Sequence, residues 1–274
     1  MHSDEARLGG YVDAWERAVE DVVALLRSLE PQDWSRPTDL PGWDVRAVAA
    51  HLAHLESELA GHEQAPVEVP ALPHITSPMG IYTEMGPLAR ASWTAEQIVD
   101  ELERSAETRL KALRADPPTD GKAIPAITPG NIGWTWETLL SNRPLDVWMH
   151  EQDIRRAVGR PGGLDSPAAA HTAHVFARGL GFIVGKRVAP PAGTTVVLDV
   201  TGPQQVHTAV VVGSDGRGTT LPADPEDPTV TLRMDVETFI VLAGGRVAPS
   251  DVQVEVEGDQ GLGAQVLAAL AVTP

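Results

Sequence analysis

The sequence predicts a two-domain α+β protein: a four-helix bundle over residues 1–164, then a smaller α+β domain over residues 165–274. Three observations carry this reading. In the first half, apolar residues recur at three- and four-residue steps, the period of a helix with one buried face. The cluster Gly159, Pro161, Gly162, Gly163 then breaks the pattern. Beyond it, TTVVLDV, QVHTAVVV, TVTLRMD and VQVEVEG read as strands, interleaved with helical segments.

The first helix is drawn by Leu8, Tyr11, Trp15, Val19, Val22, Leu26 and Leu29, and Pro31 ends it. A second begins after PGW with Asp44 as cap or first-turn acid, and its stripe is Val45, Val48, Leu52, Leu55 and Leu59. Residues 66–87 are proline-rich without a clear period and read as a long loop. A third helix starts at Thr94, where Gln97 completes a capping box, and runs through Ile98, Leu102, Leu110 and Leu113. The fourth lies within 136–158, with Pro144 either kinking it or marking a first turn. Four amphipathic helices sharing one core make a bundle. Ser166-Pro167 opens a further helix running to about Arg187. DVETFIVLA and GLGAQVLAALAV are the helices among and after the strands.

The net charge of −17 repels nucleic acid phosphates and anionic membranes, which sets both aside as partners. With no cysteine, disulfides and thiolate ligands are impossible, and thiol chemistry would need a thiol from outside the chain. MHSDEARL lacks the basic start and apolar run of a signal peptide, and no apolar stretch approaches the roughly 20 residues of a membrane span. A cytoplasmic monomer or homodimer is expected.

The polar residues of two helices stand out. At about 100° per residue, His51 lies roughly 80° from the centre of the second stripe, toward the bundle interior, while His54 lies nearly opposite and should face water. On the fourth helix, Arg143 and His150 border the stripe and Asp146 sits slightly further round. A carboxylate and a histidine at i and i+4 meet one turn apart, where they can close on one ion or simply hydrogen-bond to each other. His51 likewise reads either as a ligand or as a hydrogen-bonded histidine at the core boundary. Together the three form a ligand set of two imidazoles and one carboxylate, frequent at catalytic zinc, and burying them uncompensated would be costly. Zinc is the first expectation among divalent metals, and ferrous iron suits the same set. Asp153 is a candidate outer partner of the site, although with Arg155 and Arg156 it also reads as an ion pair. Arg143 and Trp148 are the candidate cofactor-binding residues; Trp134, Trp136 and Trp148 also read as core or pocket wall. His171 and His174 have no acidic partner nearby in sequence, and His62, His74 and His207 look incidental. No phosphate-binding glycine loop or nucleophile elbow is present.

DLPGWDVRAVAAHLAHLE and NRPLDVWMHEQDIRR resemble the motifs of the mycothiol-dependent maleylpyruvate isomerase family. In the first, a tryptophan precedes the second helix and a metal-binding histidine follows eight residues later, here Trp43 and His51. The second motif matches Arg143, Asp146, His150 and Asp153. The resemblance implies a DinB-like metal-binding bundle and a carboxy-terminal domain similar to sterol carrier proteins. It implies His51, Asp146 and His150 as metal ligands, where the family carries glutamate in place of Asp146. It also implies a catalytic arginine from the second domain, with Arg246 in TVTLRMDVETFIVLAGGR the candidate and Arg233 the alternative. The cofactors implied are a divalent metal and mycothiol or a similar thiol, acting as a thiolate nucleophile. The activity implied is cis–trans isomerisation or thiol S-transfer on a small, electrophilic, acidic substrate. A non-catalytic protein holding an apolar ligand beside a structural metal, and a non-haem iron enzyme, are the competing readings.

Overall fold

The computed structural model describes residues 3–273, and the chain divides into two compact units, residues 1–168 and 169–274. In the first unit, α1 (Asp4–Arg27), α2 (Val45–Leu59), α4 (Ala95–Ala115) and α5 (Trp136–Val158) form the bundle. A further helix, α3 (Pro78–Ala89), packs against α2. The starts follow the expected chemistry: Asp44 and Thr94 accept from the backbone N–H of Ala47 and Gln97, and Gln97 closes the capping box on Thr94. Gly159 ends α5 in the left-handed conformation. Pro144 sits in the interior of α5, not in its first turn. Leu8, Trp15, Val22, Leu26, Val48, Leu52, Ile98, Leu102, Leu140 and Val147 fill the core.

The expected long loop at 66–87 is half helix. Ser77 accepts from the N–H of Gly80 and Pro78 occupies the first turn, where its missing N–H costs nothing, so α3 has a sound start despite its composition. Its apolar side chains lack a clean stripe because the helix packs by close backbone approach. A Cβ on Gly86 would press against the His54 Cβ and the Ala50 carbonyl. This helix also corrects the placement of His54. It covers the α2 face opposite the main stripe, so His54 is buried, bonded to Gln64 and Arg90. His62 approaches the same polar cluster through Ser57 and Ser105.

In the second unit, α6 (Pro167–Arg178) opens from the junction, and α7 (Leu180–Phe182) leads into a π-helical turn at Ile183–Val188. A five-stranded sheet follows, built from β1 (Thr195–Thr201), β2 (Val206–Val212), β3 (Gly218–Thr220), β4 (Val230–Asp235) and β5 (Glu255–Gly258) in the order β3-β2-β1-β4-β5. Among the described strands, β1 and β4 are the one parallel pair. The three-residue β3 escapes the sequence because GTT has no length over which to alternate. Val196, Leu198, Val200, Val230 and Leu232 bury one face of the sheet. Two helices, α8 (Val236–Ala243) and α9 (Gln260–Ala269), pack against β4. Among the described residues, no helix is long and apolar enough to cross a membrane.

Candidate metal centre

His51 on α2 and Asp146 and His150 on α5 come together inside the first unit. One ligand atom from each lies within 4.8 Å of the others. His51 Nε2 is 3.9 Å from Asp146 Oδ2, and His150 Nε2 is 3.7 Å from Asp146 Oδ1. The two imidazoles meet edge to face, with ring centroids 4.9 Å apart. Side-chain exposure is 3% for His51 and 8% for His150 but 21% for Asp146, so the cluster opens to solvent on the carboxylate side.

The electrostatics favour a cation between these groups. Burial, followed by the nearby His150, pushes His51 down to about 3 against the pull of Asp146, which leaves its ring neutral with a lone pair to offer. Burial opposes ionisation of Asp146, but Arg143, His150 and His51 together overcome it and hold the carboxyl at about 2. The donor set is therefore two imidazole nitrogens and an anionic carboxylate, which fits a divalent metal with an open position.

Two of these three side chains are held from behind by hydrogen bonds. His150 Nδ1 lies 3.1 Å from Asp153, a fully buried carboxylate that also accepts from Arg156 at 2.6 Å. An Nδ1–H donated to Asp153 leaves the Nε2 lone pair facing the cluster. The expected outer partner and the expected ion pair are thus the same residue. Asp146 Oδ2 accepts from Arg143 at 2.9 Å. His51 Nδ1 is buried without a hydrogen bond of good geometry, and the Thr83 carbonyl lies close enough to pull weakly toward the protonated ring. Pro87, four residues on in α3, has no N–H to give that carbonyl.

Arg143 links the cluster to the bundle core. Its other nitrogens donate to Glu56 Oε1 at 3.1 and 2.7 Å, and Glu56 also accepts from Trp15 at 3.0 Å and Arg109 at 2.9 Å. Glu56 is wholly buried. Burial alone would raise its pKa, but Arg143 and Arg109 bring it below the usual carboxylate value. Sequence reasoning missed Glu56, although a signal was present. It lies one turn after Leu52 on α2, and Arg109 lies seven residues after Leu102 on α4, so opposite charges occupy two facing stripes.

Trp43 forms one wall, its ring centroid 5.0 Å from His51 and 6.2 Å from His150. Leu40-Pro41-Gly42-Trp43 is a tight turn closed by Trp43 N–H to the Leu40 carbonyl, with Gly42 at φ 82° in the position that requires glycine. Trp148 is fully buried, and its indole N–H donates to the Gly163 carbonyl at 2.9 Å. In the second unit, Arg246 donates to the Gly244 carbonyl and to Thr273 Oγ1. Arg233 pairs with Asp199, Glu255 and Glu257 on the sheet. His207 lies on the surface, 2.8 Å from Asp224 and 3.4 Å from Asp199.

Residues 15–155 match the family model described as the mycothiol maleylpyruvate isomerase N-terminal domain, and residues 170–265 match that of the C-terminal domain of the same family. No curated protein sequence matches the chain. Among solved structures, the fold is similar to that of the mycothiol-dependent maleylpyruvate isomerase, with a TM-score of 0.54 and 16% identity over 94% of this chain and 96% of that one. A histidine-to-alanine mutant of that enzyme aligns with a TM-score of 0.55 at the same identity and coverage. Because the two family models together run from Trp15 to Gln265 with one short gap, the chain belongs to the mycothiol maleylpyruvate isomerase family.

Proposed function

We propose that this protein is a divalent-metal-dependent enzyme that uses mycothiol or a similar low-molecular-weight thiol as a nucleophile. Its reaction is cis–trans isomerisation or S-transfer on a small acidic electrophile. The observation that carries the reading is the convergence of His51, Asp146 and His150 within 4.8 Å, in a chain of this family. Bound there, a divalent ion such as zinc supplies Lewis-acid stabilisation of a thiolate.

The chain's own groups have distinct tasks in this scheme. His51 and His150 present Nε2 lone pairs, kept available by burial at His51 and by Asp153 at His150. Asp146 supplies the anionic ligand, and Arg143 fixes its carboxylate plane through one oxygen. Arg143 therefore serves the cofactor through Asp146, while Trp148 backs α5 from the core. Arg246 is assigned to the substrate carboxylate, the recognition for which a planar guanidinium fork is suited.

Elemental analysis together with a mycothiol titration tests the proposal. The purified protein should carry one equivalent of divalent metal and bind the thiol only when loaded. The double variant His51→Ala, His150→Ala should lose both properties, and full metal content in that variant would overturn the reading. Iron alone, with oxygen-dependent turnover, would redirect it to a non-haem iron enzyme. Asp146→Glu should retain metal, since the longer carboxylate belongs to the same donor class.

A further inference from the structure

We propose that Glu84, braced by His74, is a positioning residue that pins the Trp43 indole against the two histidines of the centre. Three chain segments meet at one oxygen. Trp43 Nε1 donates to Glu84 Oε2 at 2.8 Å from the turn before α2, and His74 Nε2 lies 3.0 Å from the same atom. Glu84 itself projects from α3 and is only 6% exposed. An indole N–H turned away from water toward the protein takes an acceptor, and a carboxylate oxygen receiving two donors is a stiff one.

The surroundings show why each part is there. His74 closes the otherwise irregular stretch between α2 and α3, and its ring lies directly over Gly42, where a Cβ would overlap it. The glycine that the turn requires for its backbone therefore also makes room for the brace. Trp43 is only half-buried, so core packing does not fix its ring from every side. The hydrogen bond from the indole N–H to Glu84 is the polar tether that sets the ring's orientation. With that bond in place, the indole bounds the space beside both His51 and His150 and limits their rotation. Orientation of ligating histidines by neighbouring groups is commonly worth about 10–100-fold in metal affinity.

This inference rests on the proposed metal reading for its consequence but not for the pin itself, and the experiment separates the two. Acrylamide quenching of the metal-free protein, taken as a difference from Trp43→Phe, reads the mobility of the indole. Cobalt titration reads the affinity of the centre. Glu84→Ala should increase quenching of Trp43 and weaken cobalt binding by about tenfold. Glu84→Gln, which keeps a neutral acceptor oxygen, should restore most of both. In a Trp43→Phe background, Glu84→Ala should change cobalt affinity by no more than about twofold, because the pin has nothing left to hold.

Unchanged quenching in Glu84→Ala, or an equal loss of cobalt affinity with and without Trp43, would overturn the proposal. If Glu84→Ala does not fold, His74→Ala on the rim should shift both readings in the same direction, and no shift there would equally overturn it. Should the wild type bind no cobalt, the metal reading fails, while the quenching series still decides whether Glu84 pins Trp43.

Discussion

Arg143 joins a buried carboxylate to a ligand carboxylate: it donates to Glu56 from two nitrogens and to Asp146 Oδ2 at 2.9 Å from a third. The guanidinium is 1% exposed and Glu56 is fully buried, so that pair is shielded from water, while Asp146 keeps an edge toward solvent. The candidate centre is in this way tied to the bundle core by one rigid planar group. Arg109, stacked 4.8 Å over the Trp15 ring, completes the charge balance around Glu56.

Glu56→Ala should be among the most damaging substitutions in the first unit. It removes the carboxylate that Arg109 pairs with and leaves Arg143 with Asp146 alone, an effect of about 3–5 kcal/mol, readable by urea denaturation. The pH dependence follows from the same residue. Because Glu56 is depressed below 4.5 in the folded state, its contribution is fully present above that value and is lost as pH falls through its folded pKa. Metal-free protein should therefore lose stability on acidification below about 4.5, and the Glu56→Gln variant should show a shallower slope there.

Asp153→Asn should weaken metal binding while leaving the fold in place. The amide can present its N–H₂ to His150 Nδ1 and so favour the wrong tautomer, with an expected loss of about 10–100-fold in affinity. Competition with a chromogenic chelator measures it, and an unchanged affinity would remove Asp153 from the site's support.

Gly42→Ala meets two obstacles at once. The φ of 82° is a left-handed conformation, and the new methyl group would collide with the His74 ring. A destabilisation of about 1–3 kcal/mol is expected, together with a changed tryptophan emission as Trp43 shifts. Thermal unfolding and fluorescence on the same sample test both.

His207 should titrate above 6.5, because hydrogen bonds to Asp224, and less strongly to Asp199, favour its charged form. Asp224→Asn should bring the value back down, which NMR of the imidazole protons can follow. A His207 that titrates at or below 6.5 in the unaltered protein would show that the pairing does not persist in solution.

Much of this architecture was legible along the chain because it rests on local rules. The helix-start residues Asp44 and Thr94, the stop at Gly159, and the stripes of α1, α2, α4 and α5 depend on neighbours three or four positions away. The i, i+4 pair Asp146 and His150 is local for the same reason, and the inward bearing of His51 follows from its angle to the stripe on one helix. What the tertiary structure decided are the contacts that periodicity cannot carry. α3 lacks an apolar stripe because it packs through Gly86, so its existence and the burial of His54 beneath it depend on a surface made by α2. Glu56 pairs with arginines 53 and 87 residues away, and Glu84 meets Trp43 and His74 from segments with no shared period. A buried charge is tolerable only once its partners arrive, and partners from distant segments arrive only when the chain has folded.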